Sequence, residues 1–161
     1  MDINLSKLNY SFKRKPLLVG GKAMEYYGLR QAGTDIDFLA DEEDIRQLIK
    51  LYPDRVKNLY SDLGVCPLEF EIWRTIRLFS YDDLFEDAID KGDYLVISIE
   101  KLLLMKALAM EQEKYLKDTQ LIAAKISKDQ YEKFDQEKSK VAELLSGVEN
   151  VTYLEKVGPN K

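Results

Sequence analysis

Pro16-Leu17-Leu18-Val19-Gly20-Gly21 and, after thirteen intervening residues, Asp35-Ile36-Asp37-Phe38-Leu39-Ala40 are the segments from which the rest of the chain is read. The first is a compact apolar run ending in a glycine pair, which predicts a buried strand and a tight turn. A short helix from Lys22 to Tyr27 follows, closed by Gly28. The second alternates acid and apolar residues, the period of a strand. Residues two apart on a strand share a face, so Asp35 and Asp37 project together while Ile36 and Phe38 turn to the core.

Two carboxylates side by side repel unless a cation neutralises them. Hard oxygen donors of this kind suit Mg²⁺, which is commonly held by one or two carboxylates and substrate phosphates. The glycine turn fits beside them. Glycine lets a phosphate approach the backbone with no Cβ in the way, and a helix N-terminus favours the anion. Lys22, in the first turn after the glycines, is within reach of such a phosphate. A two-metal site needs a third acid, and Leu68-Glu69-Phe70-Glu71-Ile72-Trp73 supplies two candidates on one strand face. Glu71 is favoured because apolar residues flank it on both sides, and Glu69 stays open as the alternative.

Working outward, residues 2–15 are expected to form a short helix leading into the domain. Asp41 with Asp44 resembles a capping box for a helix running to about Tyr52, with Pro53 as its stop. Val56–Tyr60, Leu68–Trp73 and Thr75–Phe79 are expected strands, with Gly64 and Pro67 between the first two. Ser80 caps an expected helix from Tyr81 to Ile89, ended near Gly92, and Tyr94–Ile97 is a short apolar run. Ser98 opens a helix to about Met110. Two further helices are expected at 114–126 and 128–146, the latter opened by Ser127 and closed by Gly147. The pattern is a mixed α/β front (1–97), a helical back packed on it (98–147) and a tail (148–161).

Composition narrows the chemistry. The 161 residues are 45% hydrophobic and 33% charged, ordinary for a globular chain with one sizeable core. Lys and Arg number 24 against 29 Asp and Glu, a net charge of -5, which argues against a protein that grips long nucleic acid through its phosphates. With no histidine, Ser-His and Cys-His nucleophilic systems and His-based zinc sites are excluded. Carboxylates, lysines and metal ions must carry any catalysis. The lone Cys66 fits a reducing compartment, no apolar run approaches membrane-spanning length, and Met1-Asp2-Ile3-Asn4 is unlike a signal peptide. The cytoplasm is the expected location.

Gly20-Gly21, thirteen residues and Asp35-Ile36-Asp37-Phe38 together resemble the Gly-Gly/Ser … Asp-x-Asp signature of nucleotidyltransferases of the DNA polymerase β type. The small bacterial branch, with minimal nucleotidyltransferases, antibiotic nucleotidyltransferases and abortive-infection toxins, is the most similar. Arg30 and Thr34 resemble the Arg and Thr that often precede the acid pair there, although the commoner form sets the arginine closer to the threonine. Ile97 to Lys106 resembles a helix of the toxin-like members whose lysine, here Lys106, reaches the nucleotide's phosphates. Lys117-Asp118 resembles a Lys-Asp pair that helps shape the pocket.

The resemblance implies the nucleotidyltransferase fold, a mixed β-sheet with flanking helices and a helical C-terminal segment. It implies an NTP substrate, Mg²⁺ (two ions, or Mn²⁺ in their place) on Asp35, Asp37 and Glu71 or Glu69, and a nucleotide held by Gly20, Gly21, Lys22, Thr34, Lys106 and Asp118. Glu71 or Glu69 would help to deprotonate the acceptor. That acceptor would be a tRNA end, a protein side chain or a small hydroxylated molecule, and a toxin role restrained by an antitoxin partner is implied. The alternatives are an inactive nucleotide-binding or partner-binding protein of the same fold, and an antibiotic nucleotidyltransferase.

Overall fold

The computed structural model describes residues 3–152; the end of the expected tail, 153–161, lies outside them. The chain runs through β1 (Leu17–Leu18), α1 (Gly20–Tyr26), β2 (Ile36–Leu39), α2 (Glu42–Leu51), β3 (Val56–Leu59), β4 (Asp62–Val65) and β5 (Phe70–Trp73). It continues through β6 (Thr75–Ile76), β7 (Phe79–Ser80), α3 (Tyr81–Leu84), β8 (Ile89–Asp90), β9 (Leu95–Val96), α4 (Ile99–Ala107) and α5 (Glu113–Leu144). Seven strands form one mixed sheet in the order β3-β4-β5-β2-β1-β9-β8, and β6 and β7 form a separate hairpin. The architecture is mixed α and β.

The centre of the sheet is set by side-chain alternation. β2 lies parallel to β5 with Ile36 opposite Phe70, Asp37 opposite Glu71, Phe38 opposite Ile72 and Leu39 opposite Trp73. β1 is antiparallel to β2 on its other side. Phe38 and Phe70 are buried with ring centroids 6.5 Å apart, and Tyr94 meets Phe38 edge-on at 5.9 Å. Each such buried side chain contributes roughly 1.5–3 kcal/mol. Leu102 of α4 and Ile122 of α5 belong to the same buried cluster, so the helical back shares the core of the front.

Several expected elements are corrected. The first residues form only a 3-10 turn at Leu5–Leu8, with the rest of the segment irregular. That segment is tied down by Asp44, which is fully buried and accepts from Tyr10 Oη (2.7 Å), Lys13 N (2.9 Å) and Arg14 N (3.3 Å). Asp44 is therefore not half of a capping box; Asp41 alone caps α2, accepting from Glu43 N. The expected strand at Thr75–Phe79 is a hairpin turning at Arg77 and Leu78, both at positive φ (49° and 66°). Asp62 holds that turn by accepting from both backbone N–H groups and from Thr75 Oγ1. The helix expected to reach Ile89 stops at Leu84, and Ile89 begins β8. The two C-terminal helices are one helix of 32 residues, about 48 Å long at 1.5 Å per residue. Ser127 sits in its interior, spanned by the Lys125–Asp129 ion pair and followed by Lys128–Glu132, which favour continuation over a cap.

β4 was not anticipated, because Gly64 reads as a turn signal. The glycine is there for packing. A Cβ at position 64 would fall 2.4 Å from Trp73 Cε3, so the indole lies where a side chain would be. Gly64→Ala is expected to destabilise the fold by about 2 kcal/mol through overpacking, measured as a lower urea midpoint. An unchanged midpoint would mean that the indole shifts freely.

Candidate functional site

The parallel register of β2 and β5 puts Asp37 and Glu71 side by side, because cross-strand partners share a sheet face. They border a cleft of about 300 Å³, within the range of small-ligand sites. Gly20, Gly21, Lys106 and Tyr115 line it as well, and Trp73, Ile76, Phe79 and Met105 give it apolar surface.

The glycine turn and the acid are built together. Gly20 has φ +65°, and a Cβ there would stand 2.1 Å from Asp37 Oδ2. Only glycine lets the carboxylate lie against the turn. The Val19 N–H donates to the Asp37 carbonyl at 3.0 Å, and the Gly21 N–H donates to its carboxylate. Gly21 differs from Gly20. A Cβ there would meet only ordinary contacts, 3.7 Å to Ala32 Cβ and 3.9 Å to Arg30 Nη1, so packing within the chain does not require a glycine.

Burial pushes the Asp37 carboxyl up from its ordinary range, and the neighbouring Glu71 adds to the rise, with a smaller contribution from Asp35. Lys106 and the Gly21 N–H oppose it. A group in this position is relieved by a cation, and the donors are hard oxygens, so the pair fits Mg²⁺ chemically. Asp35 precedes β2, is exposed, and its carboxylate accepts from Thr34 Oγ1 at 3.4 Å. Among the described residues, no three His, Cys, Asp or Glu side chains are gathered into a metal-holding group.

Glu69 and Glu71 part company. Leu68 has φ +55°, which turns the chain just before β5. The Glu69 side chain pairs with Lys7 at 2.5 Å, while Glu71 faces the cleft and its Oε1 lies 2.9 Å from Lys57 Nζ. Lys22 pairs with Glu25 along α1. Glu25 also accepts from Ala32 N at 3.2 Å, closing the 28–33 loop onto that helix.

Lys106 is buried, a state its sequence context does not announce. Its Nζ lies 2.9 Å from Asp118 Oδ2 and 4.7 Å from the Tyr115 ring centroid. Arg30 grips the same carboxylate with both arms, Nε to Oδ1 at 2.6 Å and Nη2 to Oδ2 at 2.9 Å. Burial lowers the Lys106 pKa, and the Asp118 bond only partly offsets it. Burial alone would raise the Asp118 carboxyl, but the Arg30 and Lys106 bonds outweigh it and hold the group below its ordinary value. Lys117, beside Asp118, is exposed and paired with Glu113. Tyr115 carried no signal to separate it from the other tyrosines, and Arg30's part is legible only from its distance to a residue 88 positions away.

A depressed carboxyl stabilises the fold above its unfolded pKa, and that contribution is lost as pH falls through the folded value. The stability gap between the wild type and Asp118→Asn is therefore expected to be full at pH 7. It should shrink as pH falls below about 4, the ordinary aspartate value. Urea midpoints at pH 7 and pH 3 test this; a constant gap would exclude an ionised Asp118 as its source.

Comparison with protein-family models, with curated proteins and with solved structures gives no match in any of the three.

Proposed function

We propose that the chain has the nucleotidyltransferase fold and is a Mg²⁺-dependent nucleotidyltransferase, moving a nucleoside monophosphate from an NTP to an acceptor hydroxyl with release of pyrophosphate. The observation that carries this reading is the parallel register of Asp37 and Glu71 beside the Gly20-Gly21 turn, all four lining one ligand-sized cleft. Asp37 and Glu71 would hold the metal, with Asp35 within electrostatic reach. The bound ion supplies charge neutralisation for the triphosphate. Gly21, whose missing side chain no neighbour requires, leaves the backbone open to a phosphate. Lys106, kept at the cleft by Asp118 and Tyr115, supplies a positive charge to the same group. Trp73, Ile76 and Phe79 offer apolar surface to a base or sugar. Positioning and charge complementarity would provide most of the rate gain.

One observation favours a second reading, an inactive nucleotide-binding or partner-binding protein of the same fold. Glu71 and Asp118 are already paired with Lys57 and Lys106. Label transfer from each α-labelled NTP into a fractionated cell extract, with Mg²⁺, separates the two. Transfer that Asp37→Asn abolishes supports the enzyme, and the labelled fraction identifies the acceptor as RNA, protein or small molecule. Nucleotide binding without transfer supports the nucleotide-binding form of the second reading, and no nucleotide binding sinks the enzyme and leaves only the partner-binding form.

A further inference from the structure

We infer that Lys57 takes the place of one of the two cations on Glu71, so that the cleft holds a single divalent ion; this rests on the nucleotidyltransferase reading proposed above. The Lys57 ammonium lies 2.9 Å from Glu71 Oε1, so that carboxylate already has one cation on it.

The sheet is arranged to permit this reach. Lys57 is opposite Gly64 across β3 and β4, and Gly64 is opposite Trp73 across β4 and β5. Partners in register share a face, and so do residues two apart, which puts Lys57, Gly64, Trp73 and Glu71 on the cleft side together. Lys57 has to extend over β4 to meet Glu71 on β5. Gly64 contributes no side chain of its own between them, and the Trp73 ring takes the place a Cβ would have there. Cys66, two residues beyond Gly64, stands near enough to act electrostatically on the Lys57 ammonium. The lysine is thus met by Glu71 of β5 and, from just beyond β4, by Cys66.

The acids point the same way. Of the described carboxylates that line the cleft, Asp37, Glu71 and Asp62, the last holds the β6–β7 turn, which leaves two. Asp35 stays exposed at the entry to β2. A dinuclear site needs bridging or surplus carboxylate to offset four positive charges. Here two acids face an ammonium at hydrogen-bond distance, and a second divalent ion would sit against that ammonium. One divalent ion beside Asp37, with Lys57 on the far side of Glu71, satisfies the pair without that repulsion.

The test is Mn²⁺ titration followed by electron paramagnetic resonance, with one equivalent of a triphosphate analogue blocked between its α and β phosphorus atoms. The wild type is expected to bind one Mn²⁺ per chain with no spin-coupled signal. Lys57→Met should bind two, with the broadened signal of ions about 4 Å apart, and Lys57→Arg should return to one. β3 is an exposed edge strand, so both variants should fold, and their melting curves establish that. Two ions in the wild type, or one in Lys57→Met, would overturn the inference and leave the nucleotidyltransferase reading standing. Failure of the wild type to bind both Mn²⁺ and the analogue would overturn the two together.

Discussion

Asp37→Asn is expected to lower Mg²⁺-dependent nucleotide transfer by about 10³-fold while leaving the fold as stable as before or more so. Both halves follow from the same burial. Burial and Glu71 hold the Asp37 carboxyl above its ordinary range, so at neutral pH the folded chain bears the cost of an ionised group with too little compensation. A raised acid opposes folding above its unfolded pKa, and removing the charge removes that opposition. Asparagine keeps the shape that fits against Gly20 and an oxygen to accept from the Gly21 N–H. It does not keep the charge that a metal ion requires. Initial rates of label transfer and a thermal melt on the same preparation provide the two readouts. Transfer within about threefold of the wild type would remove Asp37 from the chemistry. A large fall in melting temperature would instead make it a structural acid.

The second large effect is on stability. Asp44→Ala is expected to destabilise the chain by about 3 kcal/mol, since it removes the shared acceptor of three hydrogen bonds and empties a buried site. Tyr10 Oη, Lys13 N and Arg14 N all end on this one buried carboxylate. Burial, and next the bond to Asp44, hold the Tyr10 hydroxyl well above its usual pKa. The segment they secure includes Arg14, whose guanidinium lies 4.3 Å from the Tyr81 ring centroid and pairs with Asp41 and Asp82. Losing Asp44 therefore loosens the N-terminal segment from both α2 and α3. Asp41→Ala is the comparison, since it removes the side-chain cap of α2 at about 1 kcal/mol together with one arm of the Arg14 pairing. If urea unfolding places Asp44→Ala no lower than Asp41→Ala, the buried carboxylate is not the anchor.

What was legible in the sequence is local. An apolar run ending in Gly20-Gly21 became β1 and the start of α1, and the Asp35–Ala40 alternation became β2. Asp41 and Pro53 bracket α2, and Ser98 caps α4 by accepting from Lys101 N, because caps and stops act on backbone groups within a turn of themselves. The same local logic misled wherever a distant partner intervened. Ser127 has the look of a cap but lies inside a continuous helix. Gly64 has the look of a turn but makes room for a ring nine residues later.

By itself the sequence determined that Asp37 would stand on a strand beside a glycine turn, because strand period and glycine sterics are properties of neighbouring residues; Asp35, its expected companion, falls just before the strand and stays exposed. Tertiary structure alone decided which glutamate joins Asp37. The turn at Leu68 swings Glu69 to Lys7, and the β2–β5 register delivers Glu71. It alone joined Arg30 to Asp118 across 88 positions, buried Lys106 against the same carboxylate and paired Lys57 of β3 with Glu71 of β5. Charge pairing in a cleft depends on distance through space, which strand order and register set and sequence spacing does not.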